Sequence, residues 1–320
     1  MDDFLYKDWY AVCRIEEIKK DKILLKHILN QEIILWKKNT KIMAWENLCI
    51  HRGSRLSLGS IKNGILKCAY HGWEYAESSQ CTKIPSQPDI KIPKKACVKN
   101  YKVIEKFGLV WINLSTNPNE FIDVKEFNNK KYKYVASGPY FMNAAAPRII
   151  ENFLDVAHFP FVHENYLGIK NKAEINDYDV VTSKKGIDAT NVRVFQPNPD
   201  GTNKPGEVIY DYHVHSPFFA SFGKNISKKN RFVLVFYVTP ISEFKSMIYS
   251  ITLMNFGKLD KKTTREYQDF ITAQDIPIVE SQRPELLPMD LQSELSIRSD
   301  RISIAYRRYL KKLNISFGVS

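Results

Sequence analysis

The chain has 320 residues, 44% hydrophobic, 12% aromatic and 26% charged, a composition that excludes a disordered, collagen-like or low-complexity protein. Its formal net charge of +12 is spread along the sequence without a long block of like charge, so it does not read as a nucleic-acid-binding tail. A codon bias toward lysine accounts for that charge as well as electrostatic steering of an acidic partner such as a ferredoxin does.

The start, Met1-Asp2-Asp3-Phe4, lacks the basic and apolar regions of a secretory signal, and no apolar run is long enough to span a bilayer. The longest, residues 232–241, suits a buried strand. The expectation is a cytoplasmic protein with no integral membrane segment. Five cysteines, an odd number in such a chain, argue against a disulfide framework and for reduced thiols or metal ligands.

Residues 8–115 carry short apolar runs, among them Ile23-Leu24-Leu25, Ile33-Ile34-Leu35-Trp36 and Val110-Trp111-Ile112, separated by turn-forming residues. That rhythm predicts a small all-β domain. A polar stretch over residues 115–120 marks a boundary, giving expected domains of 1–118 and 119–320. Beyond it, residues 148–158 place Ile149, Ile150, Phe153, Leu154 and Ala157 on one face of an amphipathic helix. Strand-like runs follow at 178–182, 192–195, 208–215, 231–239 and 246–254, with helical patterns at 262–280 and 300–313. The fold class expected is α+β, an N-terminal all-β domain followed by an antiparallel sheet flanked by helices.

The first domain contains Cys49-Ile50-His51-Arg52-Gly53 and Cys68-Ala69-Tyr70-His71-Gly72-Trp73. Each half offers one thiolate and one imidazole, with a glycine close behind that lets a turn aim both inward. Two such loops facing each other would hold one diiron cluster, and two neutral imidazoles in place of thiolates would raise its reduction potential. Zinc is the alternative for a Cys2His2 set, but zinc fingers usually pair Cys with Cys and His with His. These loops resemble the Rieske domain of ring-hydroxylating and demethylating oxygenases. By that resemblance Cys49 and Cys68 hold one iron of a [2Fe-2S] cluster, His51 and His71 hold the other, and Cys13, Cys81 and Cys97 match no ligand position.

The second domain contains Asn152, Asp155, His158 and His163 in the spacing Asn-x-x-Asp-x-x-His-x4-His. On an unbroken helix the two histidines would diverge by about 140°. Pro160 lies between them and is expected to bend the chain so that they converge. Two histidines and one carboxylate on one face leave open positions on a mononuclear Fe(II), the arrangement suited to O2 activation. The segment resembles the iron-binding motif of Rieske oxygenases. By resemblance the carboxylate is Asp275, within Gln274-Asp275-Ile276-Pro277, ahead of the nearby acids Asp260, Asp269 and Glu280. The resemblance further implies that Asp155 bridges His71 of the partner subunit to His158 in a homotrimer, and that Asn152 supports the iron site. His27, His213 and His215 fit no motif.

The likeness extends from Trp9-Tyr10 to Tyr306-Arg307-Arg308-Tyr309-Leu310. It is similar to cyanobacterial hydroxylases of guanidinium alkaloids in the saxitoxin pathway and to vanillate and dicamba demethylases, with chlorophyllide a oxygenase, which converts a ring methyl to a formyl group, as an alternative. A Rieske electron-transfer protein without oxygenase activity is the alternative of a different class. The expected function is a Rieske non-haem iron oxygenase, taking electrons from an acidic ferredoxin or reductase and using O2 to oxidise a C–H bond of a small organic substrate.

Overall fold

The computed structural model describes residues 2–122 and 124–320. They fall into two compact units, one of residues 6–119 and the other of residues 120–320 together with the extreme N-terminus through Leu5. A short helix α1 (Asp3–Lys7) opens the chain.

The first unit is built from short strands. Strands β1 (Trp9–Arg14), β9 (Lys102–Lys106) and β10 (Leu109–Asn113) form one sheet; β2 (Leu24–Ile28), β3 (Gln31–Lys38) and β4 (Lys41–Glu46) form a second. Strands β5 (Ser60–Lys62), β6 (Ile65–Lys67), β7 (Glu74–Tyr75) and β8 (Cys81–Lys83) form a third. Ile34 and Trp36 of β3 and Met43 and Trp45 of β4 join one buried core, in which Trp36 and Trp45 meet edge to face at 5.1 Å, a geometry favoured by the ring quadrupoles. Cys49, Cys68 and Tyr75 belong to this same core, so the loops expected to hold a cluster are anchored on it.

The second unit is organised around one antiparallel sheet. Its strands are β11 (Lys133–Met142), β12 (Asp179–Ser183), β13 (Gly186–Gln196), β14 (Gly206–Ser216), β15 (Phe219–Asn225), β16 (Arg231–Ser242) and β17 (Lys245–Met254). They lie in the order β11-β17-β16-β15-β14-β13-β12. The helices are α2 (Ala146–Leu154), α3 (Phe159–Val162), α4 (Lys261–Ser281) and α5 (Arg301–Lys312). Strand β17 is buried along almost its whole length, as a strand covered on both faces requires. This is the α+β class read from the sequence. Among the described residues no helix is long and apolar enough to cross a membrane.

Helix α2 carries the segment that leads into the histidines, and it is fixed from below by charge. Arg307 of α5 donates two hydrogen bonds to Glu151, at 2.7 and 2.8 Å, and also pairs with Glu294, which Arg148 contacts at 2.9 Å. Burial pushes the Glu151 carboxyl up, and the guanidinium groups of Arg307 and Arg148 oppose that shift. The bidentate geometry suits a buried ion pair better than a point charge would.

The two candidate metal centres and the cavity beside one of them

The cluster loops are near copies of each other in backbone terms. In the first, Gly53 N–H donates to Cys49 O at 2.9 Å and Cys49 N–H to Ser54 O at 2.8 Å. In the second, Gly72 N–H donates to Cys68 O at 3.1 Å and Cys68 N–H to Trp73 O at 2.9 Å. Both turns close only because Gly53 and Gly72 take left-handed φ values of 68° and 69°, where a Cβ would be strained. The turns bring the His51 and His71 rings to 4.6 Å, and Trp73 stacks on His51 at 4.5 Å.

The donor set fits a Rieske cluster on an observation of its own. Nδ1 of His51 is buried and has no hydrogen-bond partner among the described residues, an arrangement costly unless a ligand takes that lone pair. Desolvation and the neighbouring His71 both lower the His51 pKa, favouring the neutral imidazole that ligates metal. Burial pushes the Cys49 thiol up, against the hydrogen bond from Tyr75, so its thiolate form needs compensating positive charge.

The Tyr75 hydroxyl lies 3.1 Å from Cys49 Sγ; sequence reasoning gave this residue no role. A hydroxyl donating to a cluster thiolate stabilises the reduced, more negative state and raises the potential. Tyr75→Phe is therefore expected to lower the midpoint potential of the reconstituted cluster by ~40 mV, the one-electron equivalent of about 1 kcal/mol, with the cluster still bound. Redox titration followed by EPR measures it, and an unchanged midpoint would remove the hydrogen bond's role.

Helix α2 ends at Leu154, Asp155 takes an extended conformation, and α3 begins after His158. The break between the histidines' segment and the preceding helix therefore falls at Asp155, ahead of the position expected from Pro160. Pro160 occupies the first turn of α3, where its missing N–H costs nothing. Asp155 Oδ1 accepts Ala157 N–H at 2.7 Å, an Asx turn that supplies the chain reversal.

Both histidines lie beyond this break, His158 at the start and His163 at the end of the single turn α3, and their rings come to 5.1 Å. Asp275 Oδ1 lies 3.1 Å from Nε2 of His163 and 3.5 Å from Nε2 of His158, and all three donor atoms lie within 4.8 Å of one another. Ligand atoms about 2.1 Å from a common ion and at right angles to each other are about 3 Å apart, so the set is close to a facial triad. Nδ1 of His163 faces Oε1 of Gln274 at 2.8 Å; Gln274 Oε1 accepts, which leaves the Nε2 lone pair pointing at the carboxylate. Asp275 Oδ1 itself makes no well-directed hydrogen bond. A lone pair facing a carboxylate is satisfied by a cation, and the residues present fit an iron ion. Without one, burial resists protonation of His163, but the Asp275 carboxylate and Gln274 outweigh it and raise the imidazole pKa.

The other acids have separate employment: Asp260 caps α4 through Thr263 N–H at 2.8 Å, Asp269 accepts from the Tyr140 hydroxyl at 2.7 Å, and Glu280 accepts from Asn143 N–H at 2.7 Å. On α4, Gln268, Thr272, Asp275 and Val279 recur at helical spacing, and all but Asp275 are fully buried, which turns Asp275 toward the histidines. Asn152 lies beside the triad on the wall of a cavity of ≈ 340 Å3. His158 Nδ1 lies 3.4 Å from Asp155 Oδ2.

The histidines outside the motifs go elsewhere. His27 faces Glu32 at 3.9 Å, His213 pairs with Asp188 at 2.5 Å and His215 bonds Ser221 at 2.8 Å. Strand β14 borders the cavity through Tyr210 instead. Burial pushes the Cys13 thiol up to about 12, Cys81 packs in the core and Cys97 contacts the Ser79 hydroxyl at 3.0 Å.

With this geometry in hand, two family descriptions match the chain: the Rieske [2Fe-2S] domain over residues 8–102 and the vanillate O-demethylase oxygenase C-terminal domain over residues 142–314. The chain belongs to the Rieske non-haem iron oxygenases, in the branch defined by the vanillate O-demethylase oxygenase C-terminal domain. It is 28% identical over 324 residues to methylxanthine N1-demethylase NdmA of Pseudomonas putida, covering 97% of this chain and 90% of that protein. It is 35% identical over 219 residues to the probable methylxanthine N7-demethylase NdmC of Pseudomonas sp. (strain TJI-51), covering 67% and 78%. The solved structure of Pseudomonas putida CBB5 NdmA with caffeine superposes with a TM-score of 0.82 at 28% identity, covering 97% of this chain and 91% of that one. The protein is thus an oxidoreductase that uses a Rieske [2Fe-2S] cluster and a mononuclear non-haem iron to oxidise a C–H bond of a small organic substrate.

Proposed function

We propose that this chain is a demethylase that removes a methyl group from a small flat aromatic substrate, with Cys49, Cys68, His51 and His71 holding the cluster and His158, His163 and Asp275 holding the iron. The observation that carries the reading is the convergence of two imidazole nitrogens and one carboxylate oxygen on the wall of a cavity rich in aromatic side chains. Relatives named as methylxanthine demethylases support the reaction class.

When bound, the cluster supplies electrons singly and the iron supplies reductive activation of O2 beside the substrate. The chain's own residues do the rest. Gln274 holds His163 in the tautomer with Nε2 free, a supporting contact that fixes ring orientation. Asp155 is in place to hold Nδ1–H of His158, and the same carboxylate joins His71 of the partner subunit in a homotrimer. Phe153 stacks on Phe236 at 4.4 Å and lies 5.5 Å from Phe222. These rings form a dry wall that selects a planar molecule and excludes water. Asn152, on the same wall, supports the iron site. Electrons arrive from a ferredoxin or reductase, and the assembly works in the cytoplasm.

The test is an iron count combined with product analysis. The anaerobically reconstituted protein is expected to hold about three irons per chain, two of them in a cluster with a reduced Rieske EPR signal. With an electron source and O2 it should release formaldehyde from N-methyl or O-methyl aromatic compounds. A hydroxylated product formed without formaldehyde would overturn the demethylation reading.

A further inference from the structure

The two cluster loops share their backbone turns but not their supports. The second, over residues 68–73, is the turn of a hairpin: β6 and β7 pair beside it, Lys67 opposite Glu74 and Leu66 opposite Tyr75. Ladder hydrogen bonds therefore fix where both of its ends lie. The first loop leaves β4 at Glu46 and runs into a single 3-10 turn, Leu56–Leu58. Its two ends are not partners in any described sheet.

Side chains do for the first loop what the ladder does for the second. Ahead of the loop, Asn47 N–H donates to Glu32 O at 3.0 Å, one bond beyond the β3–β4 pairing. Asn47 Nδ2 donates to Glu32 Oε2 at 2.8 Å and to Ser57 Oγ at 3.0 Å, while its Oδ1 accepts Ser57 N–H at 2.7 Å. Behind the loop, Arg55 reaches the same carboxylate twice, through Nε to Oε2 at 2.9 Å and through Nη2 to Oε1 at 2.8 Å. Glu32 thus grips the chain on both sides of Cys49 and His51.

The buried member of the group is Asn47, whose amide donors and acceptor are all engaged. Loss of the Glu32 carboxylate would leave a buried N–H without its partner, which costs more than the bond itself contributes. The Arg55 side chain is largely exposed and as an isolated pair would add little. Its fork matches the carboxylate edge, however, and keeps that edge turned to the loop. Burial resists ionisation of Glu32, but the hydrogen bonds from Asn47 and Arg55 outweigh it and hold the carboxyl below its ordinary value.

We propose that Glu32 and Asn47 are positioning residues for the cluster: they hold the first loop so that Cys49 and His51 face Cys68 and His71, a task the hairpin performs for the second loop. The proposal rests on the reading of those four residues as the cluster ligands. The first loop supplies one ligand to each iron, so a loop free to shift would disturb both irons at once. Ligands held from behind keep one geometry as electrons pass.

The test uses the anaerobically reconstituted protein, with Glu74→Gln as control because that carboxylate sits on the hairpin, 4.0 Å from Lys83. Glu32→Ala is expected to give up its cluster to a chelator about 10–100-fold more readily, the range for loss of a supporting partner, as followed by bleaching of the visible absorbance. Glu32→Gln and Arg55→Gln should each show about a threefold effect, the lower end for a hydrogen bond to a charged group, and the two combined should do no more than either alone. In pulsed EPR of the reduced cluster, the nitrogen couplings of one imidazole should change in the Glu32 variants while those of the other stay. A general loss of stability would not move them selectively. Parental couplings and chelator resistance in Glu32→Ala overturn the proposal. So does faster cluster loss with unchanged couplings, which marks a contact that stabilises without placing the ligands, or an equal effect in Glu74→Gln. Should Glu32→Ala fail to fold, Glu32→Gln and Arg55→Gln decide by the same two readouts. Absence of a Rieske signal from the unsubstituted protein would instead refute the ligand assignment, and the positioning role with it.

Discussion

Asp275→Ala is expected to strip the mononuclear iron from the protein while the [2Fe-2S] cluster stays bound. The carboxylate is the only negatively charged member of the triad, so its loss removes one of the three proposed ligands and the charge that would offset the metal's own. Removing a partner that merely orients a ligand costs about 10–100-fold in metal affinity, and removal of the ligand itself exceeds that. Iron content should fall from about three to about two per chain, and turnover should become undetectable. The fold has no reason to fail, since α4 is held by Gln268, Thr272 and Val279 on the same face, and circular dichroism should be unchanged. Asp269→Ala and Glu280→Ala serve as controls because those carboxylates bond Tyr140 and Asn143 instead. Full iron content in Asp275→Ala would mean that a different acid completes the site.

The two metal motifs were legible because the chemistry is local: two Cys/His pairs, each within four residues and followed by glycine, can do little else together. Asp275 was reached only through its resemblance to a known context, because more than a hundred residues separate it from His163 and no periodicity joins them. Gln274, its neighbour, went unassigned although it fixes the His163 tautomer; an amide on a charged helix carries no local signal. Tyr75 likewise lies among aromatics that read as ordinary core.

The hinge between α2 and α3 shows a competing principle winning. Proline is the strongest breaker in the segment, yet Asp155 ends the helix by capturing Ala157 N–H, and Pro160 then starts the next turn. Strand β11 was missed for a related reason. Ser137-Gly138-Pro139 reads as a turn, but β11 is an edge strand whose register shifts between Ser137 and Tyr140, and proline is tolerated there.

Asp155→Asn is expected to leave both metals in place and stop turnover. The side chain is 37% exposed and its Oδ2 lies 3.4 Å from Nδ1 of His158. Its Oδ1 is engaged by Ala157 N–H. A carboxylate has lone pairs for more donors than these, and the exposed edge is open to an imidazole N–H from the partner subunit. In the other unit His71 is exposed, so its ring is available for that contact. Asparagine keeps the size and can keep the Asx turn, but it carries no charge and presents one acceptor oxygen instead of two. The Asx turn will claim that oxygen, and the amide's N–H groups will face imidazole donors, so the proposed bridge between the two histidines opens. Iron content and the cluster's EPR signal should therefore match the unsubstituted protein, while product formation falls by about 100-fold or more, at or beyond the upper end for loss of a supporting partner. The lesion should be in electron transfer: a chemically reduced cluster ought to stay reduced on mixing with O2 and substrate far longer than in the unsubstituted protein. Asp155→Glu, which restores the charge at a shifted position, should recover part of the rate. Persistence of full turnover in Asp155→Asn would remove the bridge and, with it, the reason for requiring a partner subunit.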